Sequence, residues 1–191
     1  MSNPSPYRLA VIGGGPAGLM AAEAACGTGL PVHLFEAKGS VGRKFLIAGR
    51  GGLNLTHSEP RPNFDGRYRE RANDIATWLD SFDADALRAW ARGLGIDTFV
   101  GSSGRVFPTD RKAAPLLRGW VHRLKVAGVQ FHVQHRWLGW DANGALRFAT
   151  PSGEASFTAD ATVLALGGGS WPQLGSDGAW VEALTARGID I

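Results

Sequence analysis

Gly13, Gly15 and Gly18, in the stretch VIGGGPAGLM, have the spacing at which a chain can turn tightly and let its backbone approach a pyrophosphate. Gly13 permits the turn, Gly15 leaves room for the phosphates, and Gly18 lets the following helix lie close to the preceding strand. Pro16 and Ala17 complete the contact surface of the turn. Glu36 lies 18 residues beyond Gly18, placed to accept hydrogen bonds from ribose hydroxyls, with Ala37 and Lys38 beside it. Together these residues describe a dinucleotide site.

Such a site needs a strand, a helix and a second strand to position it. YRLAVIG, residues 7–13, is a short apolar run ending in glycine, as suits a buried parallel strand. A helix is predicted from Pro16, tolerated in a first turn, to Gly27, and PVHLFE (31–36) reads as the second strand. The fold class is therefore α/β, a Rossmann-like arrangement with a parallel sheet.

The acid at the end of the second strand disfavours a 2′-phosphate, which argues against NADP in this pocket and leaves NAD and FAD. Gly42, Arg43 and Lys44 follow where FAD proteins of the glutathione-reductase type often carry a Gly-Arg that contacts the adenosine half. ADATVLALGGG (159–169) is a continuous apolar run ending in glycines, expected to rejoin the parallel sheet. It resembles the strand that closes the FAD domain in that class, so FAD is preferred to NAD.

Between these parts, residues 60–128 read as a mainly helical insertion. PRPNFDGRYRER (60–71) is polar and without periodicity, a predicted loop. Helices are expected over Asp74–Phe82, from an Asp83 N-cap to Gly93 and Gly95, and over 111–128 with Pro115 in the first turn. Leu87, Trp90, Ala91 and Leu94 share one face of the second, and Trp78 and Trp90 are expected in the core. IDTFVGSSGRVFPTD (96–110) suggests two short extended pieces around a turn. Residues 129–158 alternate apolar and polar with Asn143-Gly144 and Ser152-Gly153 at turn positions, an antiparallel meander of three or four strands. A last helix is expected over Asp177–Arg187. The closing IDI reads as the start of another strand, so the chain is expected to be a piece of a longer FAD-binding domain.

VIGGGPAGLMAA, GRKFLIAGRGGLNLTHSE, SSGRVFPTDRKA and LALGGGSWPQLGSDGAW, in that order, resemble the BaiN/RdsA family of NAD(P)/FAD-dependent oxidoreductases. The likeness runs from residue 8 to about 181. It implies an enzyme that holds FAD, takes electrons from NAD(P)H and passes a hydride to an electron-poor double bond. It further implies that Gly49, Arg50, Gly51, Asn54 and Thr56 surround the flavin and pyrophosphate, and that Arg105 is a ligand contact. Gly167 and Gly168, in a stretch running through Trp171 to Ser176, would bring tight backbone near the flavin. Many relatives carry Gly-Arg-Cys-Asn-x-Thr-Asn where this chain has Gly51-Gly52-Leu53-Asn54-Leu55-Thr56-His57. Members of the family reduce unsaturated steroid acids or make dihydrouridine in ribosomal RNA, so a small molecule and an RNA are both open as substrates. No side-chain acid or base stands out as catalytic.

The remaining features bound the reading. The chain has 191 residues, a net charge of +3 and 44% hydrophobic residues, enough for one domain with a core and only mildly basic. No run approaches the ~20 apolar residues of a membrane span, and the start lacks a signal-peptide pattern, so a cytoplasmic location is expected. Cys26 is the only cysteine and reads as packing. His132 and His135, three apart on a strand, would face opposite sides and are not expected to share a metal ion. Basic and aromatic residues interleave in WVHRLK and HRWLGW, which read as a solvated face and packed tryptophans. Two other readings stay open: a flavin-binding module with a regulatory or RNA-associated role, and a plain NAD-binding dehydrogenase domain.

Overall fold

Ala10, Val11 and Ile12 are buried on both faces of their strand, which only the centre of a covered parallel sheet allows. The computed structural model describes residues 7–175 and 177–191. In chain order the elements are β1 (Leu9–Ile12), α1 (Pro16–Cys26), β2 (Val32–Glu36), α2 (Arg43–Ala48), β3 (Thr56–His57), α3 (Arg61–Gly66), α4 (Ala72–Leu79), α5 (Ala84–Gly93), β4 (Thr98–Val100), β5 (Arg105–Pro108) and α6 (Ala113–Val126). They continue as β6 (Gln130–Val133), β7 (Arg136–Trp140), β8 (Leu146–Thr150), β9 (Gly153–Phe157), β10 (Ala161–Leu164) and α7 (Trp180–Thr185). The chain divides into two compact units, Met1–Phe45 with Val121–Ile191, and Leu46–Trp120.

The first unit is built on a four-stranded parallel sheet in the order β10-β1-β2-β6. Leu9 to Ile12 pair residue by residue with Val32 to Phe35 on one side and Ala161 to Leu164 on the other. The residues on one face, Ala10, Ile12 and Phe35, pack against Leu146 and Phe148 of an antiparallel sheet in the order β7-β8-β9. Phe35 and Phe148 stack at 4.3 Å between ring centroids. Leu34, on the opposite face, is fully buried, as are Leu19 and Ala22 of α1. Each such leucine contributes about 2 kcal/mol of burial.

One expectation about this unit changes. The predicted meander began at residue 129, but β6 leaves it and pairs in parallel with β2, His33 opposite Gln130 through Glu36 opposite Val133. Its alternating pattern arises because it is an edge strand, with Gln130 and Val133 exposed. The antiparallel part has three strands. The run at 159–169 rejoins the parallel sheet as expected, as its edge strand β10, with Val163 and Leu164 exposed.

The second unit has a three-stranded antiparallel sheet, β3-β5-β4, with α3, α4 and α5. Asp83 caps α5, its carboxylate accepting the Ala86 N–H at 2.8 Å. Ala91 is buried, and Trp90 meets Trp120 edge to face at 4.7 Å. Trp78 is 68% exposed, contrary to the expectation of a core residue. Ile75, Ala76 and Leu79 take the inward side of α4, and Trp78 falls one position outside that stripe. The segment read as a loop at 60–71 holds α3 and a 3-10 turn at Arg69–Arg71. Polar helices escape an apolar periodicity: α3 is held by the Arg61–Asp65 pair one turn apart, with Arg61 also donating to Ala76 O and Asp80. Likewise the glycine-rich run is ordered, as α2 followed by a 3-10 turn at Gly49–Gly51.

Candidate functional site

The glycine turn is held by the sheet that it leaves. The Gly13 N–H donates to Phe35 O at 2.8 Å and the Ala165 N–H to Ile12 O at 2.8 Å, so β1, β2 and β10 all end at the same place. At Gly13, where φ is +110°, an added Cβ would lie 2.1 Å from Ala165 O; at Gly18 it would lie 1.8 Å from Gly13 O. Both positions exclude any side chain. Around Gly15 nothing lies within 4 Å of an added Cβ. That difference separates two glycines required by packing from one that borders open space at the N-terminus of α1. No side chain caps that helix, so its first N–H groups and their partial positive charge face outward.

Glu36 closes the other side. One carboxylate oxygen accepts the Gly14 N–H at 2.9 Å and the other accepts the Lys38 N–H at 2.7 Å. Both oxygens keep a further lone pair, so the carboxylate is rigidly aimed and still able to accept. The Gly42 N–H donates to Gly14 O at 2.8 Å and ties the start of α2 to the same turn.

These groups border a cleft of about 820 Å³ that lies wholly within the first unit. Gly13, Gly15, Pro16, Ala17, Glu36, Ala37, Lys38, Gly42, Arg43, Lys44 and Gly167 line it. Gly18 sits beneath the turn, in contact with Gly13 rather than with the cleft. The Lys44 ammonium donates to Ser170 Oγ at 2.9 Å, joining α2 to the loop after β10 that holds Gly167 and Gly168. Ser176 lies outside the described residues. A volume of this size, an open helix N-terminus and an aimed carboxylate fit a dinucleotide such as FAD.

Gly49, Arg50, Gly51, Asn54, Thr56 and Arg105 belong to the second unit. An added Cβ at Gly49 would lie 2.5 Å from the Ala113 Cβ, so that glycine is required by packing against α6. The Asn54 amide donates to Thr56 O and Val106 O at 2.8 and 3.2 Å, clipping the strand edge. Arg50 and Arg105 are exposed. Leu53, 5% exposed, is core, while His57 Nε2 meets Ser103 O at 2.9 Å and its Nδ1 accepts the Glu59 N–H.

The sequence did not single out the third wall of the cleft, formed by His135, Arg136, Trp137 and Leu138 with Trp180 of α7. The signal is present in HRWLGW, whose pattern reads from sequence as packed tryptophans and solvated surface. What brings it here is β6: by pairing beside β2 it delivers β7 next to Glu36, and the His135 N–H donates to Glu36 O at 2.9 Å.

The histidine geometry also differs from expectation. β6 stops at Val133 and Gln134 takes φ +57°, which breaks the two-residue alternation. His135 therefore turns back on His132, ring centroids 5.6 Å apart, and His132 Nε2 meets His33 Nδ1 at 3.0 Å. Burial pushes the His33 pKa down, with Arg8 adding to it; burial does the same to His132, with the two neighbouring histidines adding. Among the described residues no group of His, Cys, Asp and Glu is arranged to hold a metal ion, and no helix is long and apolar enough to cross a membrane.

Residues 7–191 match the HI0933-like protein Rossmann domain. The chain is 30% identical over 176 residues to a 3-dehydro-bile acid delta(4,6)-reductase of Clostridium scindens; the match covers 90% of this chain and 41% of that protein, so the chain spans less than half of its relative's length. Among solved structures, a 3-ketosteroid-delta4-(5alpha)-dehydrogenase from Rhodococcus jostii RHA1, in complex with 4-androstene-3,17-dione, superposes with a TM-score of 0.71 at 16% identity, covering 96% of this chain and 55% of that one. A flavocytochrome c3 fumarate reductase in an open conformation gives 0.66 at 18% identity, covering 87% and 34%. At these identities the two structures speak for the fold. The chain belongs to the HI0933-like Rossmann-domain family of FAD-binding oxidoreductases.

Proposed function

We propose that this chain is the FAD-holding part of an oxidoreductase that moves a hydride from NAD(P)H, by way of the flavin, to an electron-poor double bond. The observation that carries the reading is the pairing of an open Gly15 at the α1 N-terminus with a Glu36 carboxylate locked to Gly14 and Lys38. The backbone N–H groups of the turn and of the first turn of α1 would hold the pyrophosphate. Glu36 would accept from the adenosine ribose, and its charge rejects a 2′-phosphate there. Arg43 and Lys44 add positive charge beside the phosphates. When bound, FAD supplies the hydride-accepting chemistry; the residues of this chain orient it.

The family resemblance assigns Gly49–Gly52, Arg50, Asn54, Thr56, Arg105, Gly167 and Gly168 to the flavin half. An unsaturated steroid acid is the substrate class favoured by the name of the 30% identical relative. The replacement of the family's Cys and final Asn by Leu53, a core residue, and His57 is the reason not to transfer that relative's substrate outright.

Anaerobic titration of the FAD-loaded protein with NADH and then NADPH tests the reading. Bleaching of the flavin absorbance by either supports it. Bound flavin that neither donor reduces favours a binding module, and a colourless protein that binds NAD favours a dehydrogenase domain.

A further inference from the structure

The segment that leaves β10 does not stay beside it. β10 and β2 lie on opposite sides of β1, two strand spacings or about 10 Å apart, and the three strands end at the same edge of the sheet. Residues 167–175 run from the end of β10 to the chain that follows β2. At Gly175 an added Cβ would lie 3.1 Å from Lys38 Cε, so the backbone there rests on the Lys38 side chain. Earlier in the segment, the Ser170 hydroxyl accepts from the Lys44 ammonium at 2.9 Å and so reaches the start of α2. The segment therefore spans the carboxyl end of β1, where the Gly13–Gly15 turn and the N-terminus of α1 lie. Gly167, Leu174 and Gly175 line the cleft from this segment, and Lys38, Arg43 and Lys44 line it from the chain beyond β2. A dinucleotide with its pyrophosphate at Gly15 lies beneath the crossing.

The segment can turn at its near end and is held at its far one. Gly167, Gly168 and Gly169 begin it, and without side chains their backbone rotates against little resistance. Pro172–Leu174 form a 3-10 turn, closed by the Gly175 N–H to Pro172 O at 2.9 Å and ended by Gly175 at φ +92°, so the tip moves as a unit. The groups that hold it down are exposed: Ser170 and Lys44 both lie at the surface, where a single hydrogen bond is weak enough to open and reform. An ammonium has three N–H donors, so Lys44 can keep Ser170 and a ligand phosphate at once.

We propose that residues 167–175 are a strap over the pyrophosphate, which must lift from Lys38 and Lys44 for FAD to enter or leave. This rests on the FAD reading above and adds to it a gate on exchange. The strap is held by the protein's own lysines, so weakening its contacts speeds entry and exit alike. A residue that only gripped FAD would act chiefly on exit.

The test is rapid mixing of the FAD-free protein with FAD, followed by quenching of flavin fluorescence, together with release of FAD on dilution. In wild type the observed binding rate should level off as FAD is raised, at the rate of strap opening. Ser170→Ala removes the acceptor for Lys44, and Gly175→Ala presses a methyl on Lys38 at a positive φ that alanine resists. Each should raise both the plateau and the release rate by about threefold or more, with Kd changed by less than about twofold. Ser170→Thr, which keeps the hydroxyl, should behave as wild type. Ser170 is exposed, so its variants keep the test independent of how Gly175→Ala folds. A wild-type rate that stays linear in FAD, unchanged rates in Ser170→Ala, or faster release with a matching rise in Kd would overturn the strap and leave the FAD reading intact. No FAD binding by the wild type would overturn both.

Discussion

The Glu36 carboxylate accepts the Gly14 N–H at 2.9 Å, so the ribose acceptor and the phosphate-binding turn are one rigid piece. Glu36→Ala should therefore act on both. Loss of a charged acceptor is expected to weaken FAD binding by roughly 1.5–3 kcal/mol, about 10- to 100-fold, and to lower the melting temperature because two backbone N–H groups lose their partner. Glu36→Gln should recover most of the melting temperature and little of the affinity. Equal FAD affinity in wild type and Glu36→Ala would remove Glu36 from the site.

Gly15 and Gly18 should separate under substitution to alanine. At Gly18 the new Cβ would lie 1.8 Å from Gly13 O, so Gly18→Ala should damage folding, seen as loss of the cooperative thermal transition. Gly15 has φ −79° and open surroundings, so Gly15→Ala should leave thermal stability within about 0.5 kcal/mol. Its effect should appear in FAD affinity alone.

Stability should fall on acidification. His33 and His132 have pKa values below the ordinary 6.5, so the unfolded chain binds protons that the folded one does not. The stability contributed by keeping them neutral is complete above 6.5 and is lost as pH falls from there through their folded values. Urea denaturation from pH 8 to 5 should show this slope, and His132→Phe should reduce it. An unchanged slope in that variant would assign the effect to other groups.

In the second unit, Asp83→Ala should cost about 1 kcal/mol through loss of the α5 cap. Trp78→Ala, at a 68% exposed position, should change stability by less than about 0.5 kcal/mol. Chemical denaturation of the two variants distinguishes cap from surface; a large loss for Trp78→Ala would show that its ring is covered.

What could be read from the sequence followed local chemistry. The Gly13–Gly18 turn, its flanking β1 and β2, the Asp83 cap and the Ala113–Val126 helix each announce themselves through residues close in the chain. What could not be read depended on partners far away. The pattern of β6 is that of any half-exposed strand, and only its pairing with β2, set by the fold, placed His135 and Trp137 at the cleft. His132 and His135 could not be put together without the break at Gln134, a positive φ in a residue type that gives no warning of one. α3 was missed because a polar helix held by Arg61 has no apolar stripe to read.

FAD binding at the Gly15–Glu36 cleft can be measured by equilibrium titration with FAD, followed by quenching of flavin fluorescence, on wild type and Gly15→Val. One FAD should bind per wild-type chain, and Gly15→Val should melt at the wild-type temperature yet bind at least tenfold more weakly, because its side chain fills the space that the pyrophosphate needs. Wild-type FAD affinity in a folded Gly15→Val protein would contradict it.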